Sequence, residues 1–293
     1  MTWFLLASCS AVLSAAAAVL QKKILFRINA LEFSFLVSLC IMACSLFIPF
    51  AVDVTSISPS VLALLVAKSI LGGAAFLFVM MSLEHNEIST ALPLLGLTPA
   101  IAAILSFVLI GESLRTVEWI GLVLLILGAY LLERRPAQKF TQPLRDAIFT
   151  RNHWYIFGAL GLFAVSSVFD KMLVGSMKTD PIIVLFYQHI VYCLMFGTLL
   201  FARRVPLRNV TFTGWEQLTV IGIVAAITIA YRLAQLEATK LAPVALVLAV
   251  KRTSILYASF VGGRMYSEER LPIKIFGASL IVAAGFLILR NVV

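Results

Sequence analysis

Residues 242–263 read APVALVLAVKRTSILYASFVGG, an apolar run of bilayer-spanning length with two adjacent cations, Lys251 and Arg252, near its middle. A cation at the centre of an inserted helix costs roughly 2.5–3.5 kcal/mol. Two together are tolerated only where they face protein, water or a counter-charge. Three readings follow: a structural salt bridge, a misjudged span end, or two side chains lining an internal cavity. The third organises the rest of the chain, because it asks which other helices surround that cavity.

The chain has 293 residues, 61% of them hydrophobic and only 13% charged. A soluble protein of this size could not hide so much apolar surface, whereas a multi-span membrane protein need not. The net charge of +9 would suit a nucleic acid. However, the basic residues sit mostly in short loops between apolar runs, which points to the membrane surface instead. Cys9, Cys40, Cys44 and Cys193 all lie inside apolar runs without CxxC or metal-ligand spacing, so neither a disulfide framework, a metal site nor a cofactor is expected. The first apolar run begins at Trp3 without a basic segment before it and reads as a span rather than a cleaved signal.

Ten spans are expected, at about 3–20, 31–51, 60–82, 90–110, 116–132, 154–173, 182–202, 216–236, 242–263 and 273–290. Trp3, Trp119, Trp154 and Trp215 all fall at or just before span starts, where amphipathic rings favour the interface. The longest polar stretch, residues 134–153 with Glu133 before it, divides the spans five and five. The halves 1–133 and 154–293 echo each other. SLEHNEISTAL at 82–92 pairs with QLEATKLAPVAL at 235–246, so Glu84 matches Glu237; Glu112 matches Glu268, and Gln21-Lys22 matches Asp170-Lys171. An odd number of spans per half inverts the second half relative to the first. Such repeats place a substrate site near the midplane, where the halves meet.

The motifs LPLLGLTPAIAAILSFVLIGESL and WIGLVLLILGAYLL at 93–132, with weaker second copies LVLAVKRTSILYASFVGGRMYSEE and IFGASLIVAAGFLIL, make the chain resemble an EamA-type member of the drug/metabolite transporter superfamily. That resemblance implies an all-α membrane protein of ten helices in an inverted five-plus-five repeat around a central cavity. It also implies transport of small organic solutes rather than enzymatic catalysis. One departure stands out. Thr98-Pro99 in the first copy is replaced by Lys251-Arg252 in the second.

Other polar residues fall inside the spans. Lys68 either pairs with a carboxylate or points at the cavity, and Gly72 and Gly73 beside it allow close helix approach. Tyr187, Gln188 and His189 form a polar cluster in span seven. Arg232, beside Tyr231, either snorkels outward past Glu237 or turns inward. Asp170 is the one acid well inside a span and could pair with Lys171. Glu112 and Glu268 read as caps of the helix or loop that follows each. The expected substrate site is therefore Lys68, Tyr187, Gln188, His189, Tyr231, Arg232, Lys251 and Arg252, with Asp170 or His189 as candidate proton carriers. Cations outnumber acids here, so the expected solute bears an acidic group and is anionic or zwitterionic.

The leading reading is a multi-pass protein of the plasma (bacterial inner) membrane. It is a secondary transporter working by alternating access, without a phosphate loop for ATP. The alternatives are a flippase for a lipid-linked phosphate and a non-transporting sensor or structural protein. Loops after odd-numbered spans carry most of the Lys and Arg; those after even-numbered spans, with the C-terminus, carry Arg115, Lys178, Lys240 and Arg290. The positive-inside rule then puts both termini outside, whereas the family resemblance implies the opposite, so orientation stays open at this level.

Overall fold

The computed structural model describes residues 1–50, 52–55, 57–85, 95–112, 115–133, 153–204, 214–255, 257–258 and 261. Among these, every regular element is helical. The α-helices are α1 Thr2–Leu25, α2 Ala30–Ser45, α3 Pro59–His85, α4 Thr98–Ile110, α5 Thr116–Glu133, α6 His153–Lys171, α7 Pro181–Ala202, α8 Trp215–Leu241 and α9 Val244–Arg252. Ten spans were expected; the described residues hold nine α-helices, and the tenth expected span, 273–290, lies outside them. The segments around α1, α2, α3, α6, α7 and α8 are long and apolar enough to cross a bilayer. Most of the expected connector 134–153, with Glu268, is also outside the described residues.

Local chemistry sets the helix ends. The Asn29 side chain accepts the Glu32 N–H at 2.9 Å to start α2, and Asp180 accepts the Ile182 N–H at 2.8 Å to start α7, with Pro181 in the first turn. Helix α6 ends in a π-turn, Met172–Ser176. Large apolar side chains such as Leu5, Phe107, Val108 and Phe201 stand exposed on the outside of the bundle. Lys68, Asp170, Gln188 and His189 are buried inside it. This distribution, polar within and apolar without, belongs to a protein solvated by lipid.

The helices pack mainly across the two parts of the chain. Helix α1 lies on α8 and α3 lies on α6; α2 lies on α7; α2 meets α8 and α3 meets α7; α1 meets α9 and α4 meets α6. Exchanging α1–α4 for α6–α9 in order maps this set of pairings onto itself. The helix ends follow the same exchange. Lys22 is buried in the last turn of α1 and donates to the Leu83 carbonyl near the end of α3, at 2.5 Å. Lys171, closing α6, donates to the Thr239 and Ala242 carbonyls at the end of α8, at 2.9 and 2.8 Å. In both cases a lysine satisfies carbonyls that a helix end leaves unpaired.

Glu112 corrects an expectation. It caps not the helix that follows it but α9, accepting the Val244 N–H at 3.1 Å, and it pairs with Lys171 at 3.5 Å. Lys171 is thereby committed to Glu112 and not to its neighbour Asp170. Successive side chains on a helix point about 100° apart and reach different partners.

Helix α3 approaches α6 and α7 closely at Gly72 and Gly73. A Cβ at Gly72 would lie 2.5 Å from the Tyr192 hydroxyl and 3.0 Å from Ser166 Oγ, whereas one at Gly222 would meet nothing within 4 Å. Gly72→Ala is expected to lower stability by roughly 1–3 kcal/mol through overpacking, and Gly222→Ala to leave it unchanged or raised. Thermal unfolding of the two variants in detergent checks this.

Candidate functional site

The site begins with Lys68, one turn before the glycine contact on α3, fully buried against α6 and α7. Its Nζ donates to Asp170 Oδ1 at 2.5 Å and to Gln188 Oε1 at 2.6 Å, and its own backbone carbonyl accepts from Ser166 Oγ at 3.0 Å. Arg232 enters from α8. Its Nη2 donates to Asp170 Oδ2 at 3.1 Å and to Gln188 Oε1 at 2.8 Å, and its Nη1 to Gln235 Oε1 at 3.0 Å. Arg232 thus turns inward rather than snorkelling past Glu237, which forms a surface pair with Lys240 at 4.0 Å. One carboxylate holds two cations, one on each oxygen.

The second pair of cations sits differently. Helix α9 ends at Arg252 with a turn at Thr253, whose hydroxyl donates to the Val250 carbonyl at 2.8 Å. The turn interrupts the helix by one residue, with helical backbone again at residues 254 and 255, so Lys251 and Arg252 stand beside a local irregularity inside the expected span. Lys251 Nζ donates to Gln235 Oε1 and lies 4.8 Å from the centre of the Tyr231 ring. Arg252 Nη2 donates to Thr98 Oγ1 at 3.0 Å, and its guanidinium lies 5.9 Å from the Phe163 ring. Among the described residues, neither Lys251 nor Arg252 forms an ion pair with a carboxylate.

Most of these groups, though not Lys68 or Thr98, line a cleft of about 730 Å³, open mouth included. Its walls include Asp170, Gln188, His189, Tyr231, Arg232, Gln235, Lys251 and Arg252. Both ring nitrogens of His189 lack a hydrogen-bond partner, as do Arg232 Nε and Arg252 Nε, although all are buried. The unpaired imidazole packs edge-on to Tyr192, 5.3 Å between ring centres. Polar atoms buried without partners are rare in native interiors, and here they sit at a space able to hold one.

A second cleft of about 630 Å³ meets the first at a wall of Phe76, Phe163, Tyr231, Lys251 and Arg252. Ser14, Ala17, Ala18 and Gln21 of α1 line it, and Phe163, Ser166, Ser167 and Asp170, each 149 residues later on α6, line the first. Phe76, Val79 and Met80 of α3 likewise stand where Thr228, Tyr231 and Arg232 of α8 stand, 152 residues on. Corresponding helix faces therefore wall two clefts of different chemistry. Lys251 and Arg252 belong to both; beyond them, the faces of α6, α7 and α8 carry Asp170, His189 and Arg232, whereas the corresponding faces of α1 and α3 are mostly apolar.

The expected residues separate into groups. Gln188, His189, Tyr231, Arg232, Lys251 and Arg252 meet around the first cleft, with Asp170 among them. Lys68 stands behind Asp170 and is not part of the lining. Tyr187 faces away, donating to the Val54 carbonyl at 2.9 Å. Gln235 was absent from the expected set. Its signal was available, since it lies three residues after Arg232 and hence on the same helix face.

Removing the central carboxylate leaves Lys68 buried with no counter-charge. Asp170→Asn is expected to destabilise the protein by roughly 3–5 kcal/mol. Lys68→Met is expected to cost less, because Asp170 keeps Arg232. Thermal denaturation and recovery of folded protein from membranes measure the difference.

Comparison with known proteins agrees with this architecture. A solved structure described only as "Crystal structure of protein" superimposes with a TM-score of 0.71, over 98% of this chain and 96% of that one. Sequence identity is 14%, so this likeness speaks to the fold alone. No curated protein matches the sequence. Residues 1–134 match the model of the EamA-like transporter family. That match covers somewhat under half of the chain and is a likeness to the family; with helices long and apolar enough to cross a bilayer, the whole is an integral, multi-pass membrane protein.

Proposed function

We propose that this protein is a secondary transporter of a small organic solute bearing an acidic group, working by alternating access. One observation carries this reading. Arg232, Lys251 and Arg252 face a cleft inside a bundle of apolar helices, and among the described residues that line the cleft Asp170 is the acid opposite them. Excess buried positive charge is costly in this setting, and an acidic solute offsets it on arrival. The expected substrate-binding set becomes Gln188, His189, Tyr231, Arg232, Lys251 and Arg252. Lys68 holds Asp170 from behind, and Tyr187 belongs to packing.

The ten-helix inverted repeat, with halves 1–133 and 154–293 joined by the connector 134–153, is part of this proposal. The matched helix pairings, the matched roles of Lys22 and Lys171, and the two clefts walled by corresponding faces support it. Alternating access then exchanges which cleft is open, with the shared wall of Phe76, Phe163, Tyr231, Lys251 and Arg252 between them. Neither expected proton carrier is favoured by its surroundings. Both Asp170 oxygens are held by cations, and a protonated His189 would add a positive charge to a cleft wall that Arg232, Lys251 and Arg252 already share.

The test is counterflow in proteoliposomes across a panel of organic anions, amino acids and neutral solutes of similar size. A charge-assisted hydrogen bond contributes about 1.5–3 kcal/mol, so Arg252→Gln is expected to weaken apparent affinity for an anionic solute roughly 10–150-fold. Unchanged affinity in a folded variant overturns the assignment.

A further inference from the structure

The hydrogen-bond acceptors between the cations are mostly neutral. Gln188 Oε1 accepts from Lys68 and Arg232, and Gln235 Oε1 from Arg232 and Lys251. Arg252 rests on the hydroxyl of Thr98. A glutamate in place of either glutamine would bridge the same donors and cancel a charge as well. An amide bridges them and cancels nothing. Four basic side chains, Lys68, Arg232, Lys251 and Arg252, therefore share the single carboxylate of Asp170 among the described residues around the cleft, an excess of three positive charges. A structural ion cluster minimises such an excess, since each unbalanced charge in low dielectric is unfavourable. A site that waits for a guest retains it.

From this we infer that the cleft recognises a dianionic headgroup, as in a phosphomonoester or a dicarboxylate, in preference to a monoanion or a zwitterion, and that Gln235 sets this preference. The inference rests on the transporter reading above. Lys251 and Arg252 approach the headgroup from α9. Arg232 is fixed to Asp170 through Nη2, and its Nε, buried without a partner, remains as a donor. His189, buried with both ring nitrogens unengaged, offers a hydrogen bond to a neutral polar group elsewhere on the solute. A zwitterion fits poorly, because its ammonium would enter a region already crowded with cations.

The experiment compares two probes of equal carbon number, succinate and butyrate, with glycerol 3-phosphate as a second dianion. The full chain is used, by thermal-shift binding in detergent and by counterflow in proteoliposomes. Wild-type protein is expected to bind both dianions at least tenfold more tightly than butyrate. Gln235→Glu adds one negative charge at nearly constant shape and is expected to bring the succinate-to-butyrate ratio within threefold. Gln235→Leu removes the bridge without adding charge and is expected to keep the preference. Dioctanoyl phosphatidate, tried as a competitor, separates a soluble phosphomonoester from a lipid headgroup. Competition tenfold stronger than that of glycerol 3-phosphate assigns the dianion to a lipid; equal or weaker competition assigns it to a soluble solute.

Equal wild-type affinity for succinate and butyrate overturns the inference while leaving an anion carrier in place. So does a preference that Gln235→Glu leaves untouched. No binding or exchange of any anion overturns both readings together. Should Gln235→Glu not fold, the wild-type ratio and Lys251→Gln decide. That variant is expected to lose at least tenfold more affinity for succinate than for butyrate; an equal loss for the two overturns the inference.

Discussion

The carboxylate of Asp170 is the point on which the interior depends. It meets Lys68 at 2.5 Å on one oxygen and Arg232 at 3.1 Å on the other, in a region withdrawn from both water and lipid. Each partner comes from a different helix, so the cluster fixes α3, α6 and α8 against one another. Gln188 ties in α7 by accepting from both cations. An uncompensated buried charge is far more costly than a paired one, so these helices have little freedom to shift independently. Gly72 and Gly73 are part of the same arrangement. They let α3 come close enough to α6 and α7 for Lys68 to reach its partners.

Around that fixed centre the positive charge is distributed unevenly. Lys68 and Arg232 are neutralised in part, whereas Lys251 and Arg252 rest on an amide, a hydroxyl and two aromatic faces. Contacts of this kind orient a cation without cancelling it, and they can be exchanged for an anion's oxygens at modest cost. The position of Lys251 and Arg252 matters for the same reason. Both side chains belong to the wall shared by the two clefts, within reach of either. The π-turn that follows Lys171 is a departure from regular helix next to a charged residue, in line with the tendency of such turns to sit at functional positions.

The helix ends show how a bundle in lipid closes its backbone hydrogen bonds. Lys22 serves α3 and Lys171 serves α8, while Glu112 caps α9 and pairs with Lys171. None of these partners is adjacent in sequence. Each joins elements that the chain brings together only after two or more spans have been laid down, so the ends of the helices are braced across the molecule as well as along it.

The sequence by itself determined the class and much of the inventory. Long apolar runs with few charges dictate membrane helices, because hydrocarbon accepts no unpaired backbone. The polar residues interrupting those runs are few enough to be named in advance. Gln188, His189, Tyr231, Arg232, Lys251, Arg252 and Asp170 are legible because a charge or amide in such a run has no reason to be there other than a partner or a guest. What only the tertiary structure decided is which partner each one takes. Asp170 and Lys171 are neighbours in the chain yet point to different helices. Tyr187 turns away from His189, Lys68 stands behind the cleft rather than on it, and Gln235 matters because of two cations that arrive from α8 and α9. Periodicity tells which side of a helix a residue occupies. It does not tell which other helix lies there, and in a bundle of uniformly apolar helices that choice is made by the packing of small residues and the matching of a few buried charges.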